Sequence, residues 1–425
     1  MSLTIGVVGA GTAGAAAATL LARAGHRVTV FERVEDPKPV GAGITLQPTG
    51  QAALSRLGIL DEMVARGALL ERLTVVRGPA KKPMVDLPYA HMHHGLRGLG
   101  THRGNLFSTL FAKVVASGAT IRLGAHVAAT SVDDEGRWLT LASGERCGPF
   151  DFVVAADGSV CELHECARQV TSTVYPWGAL WFVAPDPDFA ADTAISQIVE
   201  GAHTMLGFLP TGLDPHRNVP VVSLFWSIRA DRVDDWRRAG LAPWRDRVLR
   251  LEPRAEAILD AIESPDQILF ARYRDVSMKP WHGDRIVFLG DAAHATSPQL
   301  GQGANLALID ALELADAVAL IDARARPAFR VRQALAAYSA RRKRQLDYYQ
   351  FMTRFLTPFF QSDSRLLAFL RDLAFPHSRW LAPFRNLMTT TMVGTGRGWI
   401  RPAVPHHDLP RISRRSSDLE RLRSQ

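Results

Sequence analysis

Apolar residues gather near the start of the chain into a short continuous run, residues 3–8 (LTIGVV), the pattern of a parallel strand buried on both faces. Small residues follow at helical spacing over 15–23, Gly25-His26 interrupts them, and 27–31 (RVTVF) predict a second strand. The uncharged stretch 3–22 has the length of a membrane span, but no basic segment precedes it and its glycines are grouped, which favours strand, turn and helix. Far downstream, 286–289 predict another buried strand, and a helical run to about 322 carries Leu306, Ile309 and Leu312 on its core face. Between these blocks, 179–183 (ALWFV), 204–209 (TMLGFL) and 219–228 (VPVVSLFWSI) read as strands, and 232–262 as helix broken at Pro243 and Pro253. From 326 onward the pattern is helical and arginine-rich, with Leu, Phe and Tyr concentrated at 348–360 and 366–375.

The first strand and helix are joined by Gly9-Ala10-Gly11-Thr12-Ala13-Gly14, a G-x-G-x-x-G turn, and the second strand closes with Glu32. Gly9 permits the tight turn, Gly11 lets backbone approach a pyrophosphate, and Gly14 allows close packing of helix on strand. The helix N-terminus offers free N–H groups and a positive dipole end. Glu32 can accept hydrogen bonds from ribose hydroxyls and would repel a 2′-phosphate, so the unit predicts FAD or NAD and does not choose between them.

The second glycine-rich block favours FAD. It runs GDRIVFLGDAAHATSPQLGQGAN over 283–305, with Asp291 at the strand end, Pro298 in the loop and a helix opening at Gly301-Gln302-Gly303-Ala304-Asn305. A helix N-terminus beside the pyrimidine edge of a flavin would stabilise the negative charge that appears on reduction. Read alone, this block is also compatible with a capped loop and no ligand.

Charge and cysteines narrow the classes. The net charge of +8 invites a nucleic-acid reading, but residues 326–425 hold 19 Lys+Arg against 6 Asp+Glu, while the preceding 325 residues hold 31 against 36. The excess belongs to a C-terminal appendage, expected to be a helical cap with a solvated basic face or a face for a membrane surface or protein partner, with a polar tail from about Pro402. No nucleic-acid partner is expected. Three cysteines, Cys147, Cys161 and Cys166, predict no disulfide framework and a cytoplasmic setting, and the His91, His93, His94 cluster lacks the companions of a metal site.

At this point the chain resembles the class A flavoprotein monooxygenases, the para-hydroxybenzoate hydroxylase-like family. Four ordered stretches carry the resemblance: GAGTAG with Glu32, HRGNL with Arg103, DFVVAADG with Asp157 and Gly158, and GDAAHATSPQLGQGAN. It implies one non-covalent FAD, contacted by Ala13, Glu32, Arg33, Arg103, Asp291 and the loop from Gly301 to Asn305. Gly43 and Ile44 would lie near the flavin ring, Val127 near the adenine, and Pro298 beside the face where oxygen reacts. Gln47 is a polar candidate in the same loop as Gly43. Where the family usually has Ser and Arg after the Asp-Gly pair, this chain has Cys161 and His164, so the donor stays open among NADH, NADPH and a reductase.

The expected architecture is α/β: a Rossmann-like FAD-binding domain in two parts, 1–171 and 281–325, with an inserted β-sheet substrate domain at 172–280 and a C-terminal helical segment at 326–425. The implied activity is hydroxylation of an aromatic or conjugated cyclic small molecule by O₂ through a flavin C4a-hydroperoxide, with NAD(P)H supplying electrons. A related FAD-dependent reductase or halogenase, or a non-catalytic flavin-binding protein, is the alternative. Trp177, Trp181, Phe208, Phe225 and Trp226 are candidate pocket walls or ordinary core, and His294 a candidate acid or base or a structural residue.

Overall fold

The computed structural model describes residues 2–185, 189, 192–320, 327–398 and 409–412. Its first layer is a six-stranded sheet. In spatial order the strands are His282–Gly283, Ile286–Phe288, Phe152–Ala155, Thr4–Val8, Arg27–Phe31 and Thr120–Arg122. The uncharged stretch 3–22 divides into the strand Thr4–Val8 and the helix Thr12–Arg23, and the strand pairs in parallel with Arg27–Phe31, Ile5 opposite Val28. Ile5, Val7, Val30, Val153, Val154 and Phe288 are completely buried, as continuous apolar runs in a parallel sheet require.

The second layer is a seven-stranded sheet in the order Leu269–Met278, Val170–Pro185, Pro220–Arg229, Thr204–Leu213, Ala194–Glu200, Arg72–Arg77 and Lys82–Pro88. The last two strands come from the stretch expected to belong wholly to the FAD-binding domain, and Val170–Pro185 crosses the expected boundary at 171/172. Arg72–Arg77 joins by parallel pairing with Ala194–Glu200, a contact between segments more than a hundred residues apart that local pattern does not announce. Side chains alternate across this sheet. On one face Phe208, Leu224 and Trp226 pack against Trp244, Val248 and Leu251 of the 233–260 helices; on the other, Met205, Leu209 and Phe225 turn toward the C-terminal helices.

The chain then returns over the first sheet as the helix Gly303–Ala319, which packs on Thr12–Arg23, and as the 34-residue helix Pro327–Phe360. Much of the arginine-rich surface expected on that long helix is used internally. Arg342 is buried and donates to Asp310, Arg341 donates to Glu313, Lys343 to Asp347 and Arg354 to Asp275. These side chains clamp the cap to the body and to itself, while Arg332 and Arg344 stay exposed on the helix surface. The polar tail expected from about Pro402 lies mainly outside the described residues. Among the described residues no helix is long and apolar enough to cross a membrane.

Candidate active site

Four neighbouring parallel strands end at the same place. Thr4–Val8 is followed by Gly9, Arg27–Phe31 by Glu32, Phe152–Ala155 soon by Asp157, and Ile286–Phe288 soon by Gly290-Asp291. Ligands of open α/β sheets bind beyond the carboxyl ends of the strands, and a cavity of about 1150 Å³ opens there and extends beneath the seven-stranded sheet. Its wall includes Gly9, Gly11, Ala13, Glu32, Arg33, Gly43, Ile44, Gln47, Arg103, Val127, Asp157, Asp291, Pro298, Gly301, Gln302, Gly303 and Ala304. Residues spread over almost 300 positions therefore converge on one space.

The turn after the first strand has the stereochemistry its glycines demand. Gly9 has φ +95°, and a Cβ there would stand 2.6 Å from the Ala156 carbonyl oxygen; a Cβ on Gly14 would meet the Gly9 carbonyl oxygen at 2.0 Å. Gly11 has nothing within 4 Å of the corresponding position, so its open side faces the cavity. The helix Thr12–Arg23 starts without a side-chain cap or an acid in its first turn, which leaves its positive end to a ligand. Glu32 closes the loop from the other side: its carboxylate accepts from the Ala10 N–H at 2.8 Å and the Val34 N–H at 3.0 Å. Asp157 Oδ1 is buried and has no partner among the described residues. An uncapped helix end, an open glycine and an unused carboxylate oxygen are what a dinucleotide with phosphates and hydroxyls would engage.

Two expected contacts lie behind the wall. Gly14 is used for packing, as its closeness to Gly9 shows. Asn305 is completely buried and works as a staple: its Oδ1 accepts from the Gln47 N–H at 2.8 Å, and its Nδ2 donates to the carbonyls of Thr45 and Gly301, both at 3.0 Å. It holds the Gly43–Leu46 strand against the glycine loop. Gln302 contributes to the wall while its side-chain Nε2 reaches the Thr391 and Met392 carbonyls at 3.1 and 2.8 Å, fastening the loop to the helix Ala382–Val393. The helix Gly303–Ala319 also begins without a side-chain cap, beside Asp291.

Three further groups had no local signal. Tyr89, fully buried, donates its hydroxyl to Gln47 Oε1 at 2.8 Å, which fixes the amide with Nε2 on the side of Gly301. Burial pushes the Tyr89 hydroxyl well above its ordinary pKa, so it stays a neutral donor. Asp310, also fully buried, accepts from the Gly290 N–H at 2.8 Å, His294 Nε2 at 2.6 Å and Arg342 Nε at 2.6 Å. That makes His294 structural, since it braces the turn presenting Asp291. The third group is the C-terminal helices, whose Met352, Phe355, Phe359, Phe375, Phe384 and Met388 complete the wall. Of the candidate aromatics, Trp181 and Phe225 reach the cavity, whereas Phe208 and Trp226 face the opposite core and Trp177 is buried away from the wall.

The fold and the cradle define an FAD-binding protein, and the chain belongs to the FAD binding domain family, which it matches over residues 2–347. It is an FAD-dependent monooxygenase that takes a small-molecule substrate and O₂. It is similar to the 6-hydroxynicotinate 3-monooxygenase of Bordetella bronchiseptica, 27% identical over 319 residues that cover 73% of this chain and 81% of the relative. The kynurenine 3-monooxygenase of Salinispora arenicola is 29% identical over 360 residues, 80% of this chain and 76% of the relative. The structure of Klebsiella pneumoniae HpxO complexed with FAD and uric acid superposes with a TM-score of 0.75 at 19% identity, covering 92% of this chain and 97% of that one, which shows the shared fold.

Proposed function

We propose that this monooxygenase hydroxylates an uncharged, largely apolar aromatic ring, with NADH or NADPH as electron donor, in a reducing compartment such as the cytoplasm. The observation that carries the reading is the half of the cavity beneath the seven-stranded sheet. Its wall is built from Val75, Val85, Leu87, Trp181, Leu209 and Phe225 on the sheet side and from the aromatic C-terminal helices opposite, and its polar groups there include the uncharged Gln47, Gln197, Tyr273, Gln361 and Thr391. Arg272 and Arg274 also line the cavity, from the edge strand Leu269–Met278, Arg272 exposed and Arg274 donating to Ser172. Burying a carboxylate in such a pocket without a partner would be costly. The relatives named for 6-hydroxynicotinate and kynurenine support an aromatic substrate; the apolar and uncharged polar groups that make up most of this half of the wall support one without their ionised groups. All three cysteines are unpaired thiols, which suits a reducing setting.

Bound FAD, once reduced, supplies the activation of O₂ for insertion of one oxygen atom into an electron-rich carbon. Gly11, the uncapped start of Thr12–Arg23, Glu32 and Asp157 would hold its phosphates and ribose, and the uncapped start of Gly303–Ala319 would face the ring. The chain's own part in the reaction is positioning and the exclusion of water. Gln47, oriented by Tyr89, offers N–H donors to a ring substituent, while Phe355, Phe359, Phe375 and Met388 keep the space dry. His164 donates through Nε2 to the Ala292 carbonyl at 2.7 Å, so the residue standing in the family's arginine position supports the Gly290-Asp291 turn.

The test is oxidation of NADH and NADPH by the purified yellow protein with and without a panel of apolar phenols and fused-ring phenols, set against hydroxybenzoates. Stimulation by the apolar members with a singly oxygenated product is expected. Stimulation confined to carboxylated substrates would overturn the substrate reading, and anaerobic reduction of a double bond would make the protein a reductase. Tyr89→Phe leaves Gln47 Oε1 buried without its donor, a cost of about 1–3 kcal/mol. Its expected result is a kcat/KM about tenfold lower at unchanged FAD content; unchanged kinetics would remove Gln47 from the site.

A further inference from the structure

The amphipathic helix Arg365–Ala374 is turned inside out. Arg371 is completely buried and donates to the carbonyls of Gly201 and Phe359, both at 2.9 Å, and to Asp372. Leu366, Phe369 and Leu373 are 65%, 63% and 57% exposed, with Leu370 beside them. These four positions have the i, i+3, i+4, i+7 spacing of one helical face, the stripe that a surface helix ordinarily gives to the core. Trp380 and Leu381 lie exposed shortly after. The patch is continuous with the cavity, because Leu370 and Leu373 are part of the wall. In the same wall Phe355, Phe359, Phe375 and Phe384 form a row, with successive ring centroids 5.5, 6.3 and 6.1 Å apart.

Charge decides what covers this face. Residues 361–398 contain five arginines and two aspartates, and of the arginines Arg371 is buried and paired while Arg397 is half-buried. Asp363 is already engaged by Arg229, and Asp372 by Arg77 and Arg371. Arg365, in the first turn of the same helix, is exposed and makes no ion pair among the described residues. A second copy docked face to face would leave the Arg365 charge without a counter-ion in either copy, whereas an anionic lipid surface would complement it. A helix of this kind lies in the interface with its apolar face at the acyl boundary, and an exposed Trp suits the headgroup level.

We propose that this face docks the enzyme on an anionic lipid surface, with Leu366, Phe369, Leu370 and Leu373 entering the interface and the cavity mouth toward the bilayer, so that an apolar substrate enters from the lipid phase. The delivery step rests on the substrate reading above; the docking step does not.

Docking is read without turnover, by flotation of the full-length holoenzyme with vesicles of phosphatidylcholine alone or mixed with phosphatidylglycerol. Binding to the mixed vesicles is expected, weakening with salt. Leu366→Glu/Phe369→Glu, at two positions outside the cavity wall, is expected to lower it at least about tenfold while FAD content and turnover of a dissolved substrate stay unchanged. Arg365→Glu should give a smaller, salt-sensitive loss. Equal flotation of the double variant and the wild type, or none by the wild type, overturns the docking. A wild-type dimer that the double variant dissociates, without vesicle binding, assigns the face to a second copy and overturns it as well. If docking holds but the double variant leaves KM for a vesicle-dissolved substrate unchanged, the delivery step fails.

Discussion

Asp310→Ala is expected to destabilise the protein by about 3–5 kcal/mol, because it removes one partner of a buried charge cluster and leaves the other in place. Asp310 and Arg342 are both essentially without solvent contact, and the carboxylate is shared among Arg342, His294 and the Gly290 N–H. Without it, Arg342 keeps Gln345 and a long contact to the Leu306 carbonyl but has lost its counter-charge. The same substitution frees the Gly290 turn, where φ is +59°, so Asp291 loses its fixed place at the cavity and FAD retention should fall with stability. Urea unfolding and flavin release after gel filtration measure the two effects. Asp310→Ala/Arg342→Met should recover part of the stability, since the unpaired charge is gone, but not the flavin retention. A loss below about 1 kcal/mol in the single variant would mean that the cluster is not what holds the turn.

The cluster also sets a pH dependence. Burial alone would raise the Asp310 carboxyl, but His294 and Arg342 beside it and the Gly290 N–H outweigh that and hold it below the usual carboxylate range. A carboxyl depressed in the folded state contributes stability that is full above its unfolded value, about 3.9, and is lost as pH falls through the lower folded value. The contribution should therefore be intact at neutral pH and begin to fall only as pH drops below about 4. Asp310→Asn should flatten that acid limb.

What could be read from the chain is what sits close together along it. Gly9, Gly11, Gly14 and Glu32 occupy one strand-turn-helix-strand unit, and each has a single steric or electrostatic reason to be that residue, so their placement follows from local pattern. Gly290 to Gly303 is legible for the same reason. Asn305 is read as a cofactor contact in the loop, whereas it sits buried in the first helical turn as a staple, because its partners Gln47 and Thr45 are about 260 positions away. Tyr89 carries no local mark at all; only the fold brings it to Gln47. The C-terminal wall was hidden by its composition. Arginines among Leu and Phe suggest a solvated basic face, yet Arg342 and Arg371 found internal acceptors and were buried, while Leu366 and Phe369 were left outside. Pairing between distant segments, rather than hydrophobicity, decided which side of each helix faced in.

Glu32→Arg is expected to abolish stable FAD binding. In the free protein the carboxylate already accepts from the Ala10 and Val34 N–H groups, so it is held in place by the turn and the strand end it joins. Glu32 lines the cavity and keeps acceptor capacity, so the ribose hydroxyls of a bound dinucleotide would donate to it. Hydrogen bonds to a charged group contribute about 1.5–3 kcal/mol each. Losing two of them predicts an affinity lower by at least about a hundredfold. The guanidinium also cannot accept from Ala10 or Val34, so the backbone cradle would loosen along with the lost contact. Glu32→Gln keeps one acceptor oxygen and the side-chain length, and its loss should be intermediate. Titration of apoprotein with FAD, followed by flavin fluorescence, separates the three proteins. An affinity for Glu32→Arg within about threefold of the wild type would place the ribose elsewhere, and with it the assignment of every contact from Gly9 to Val127.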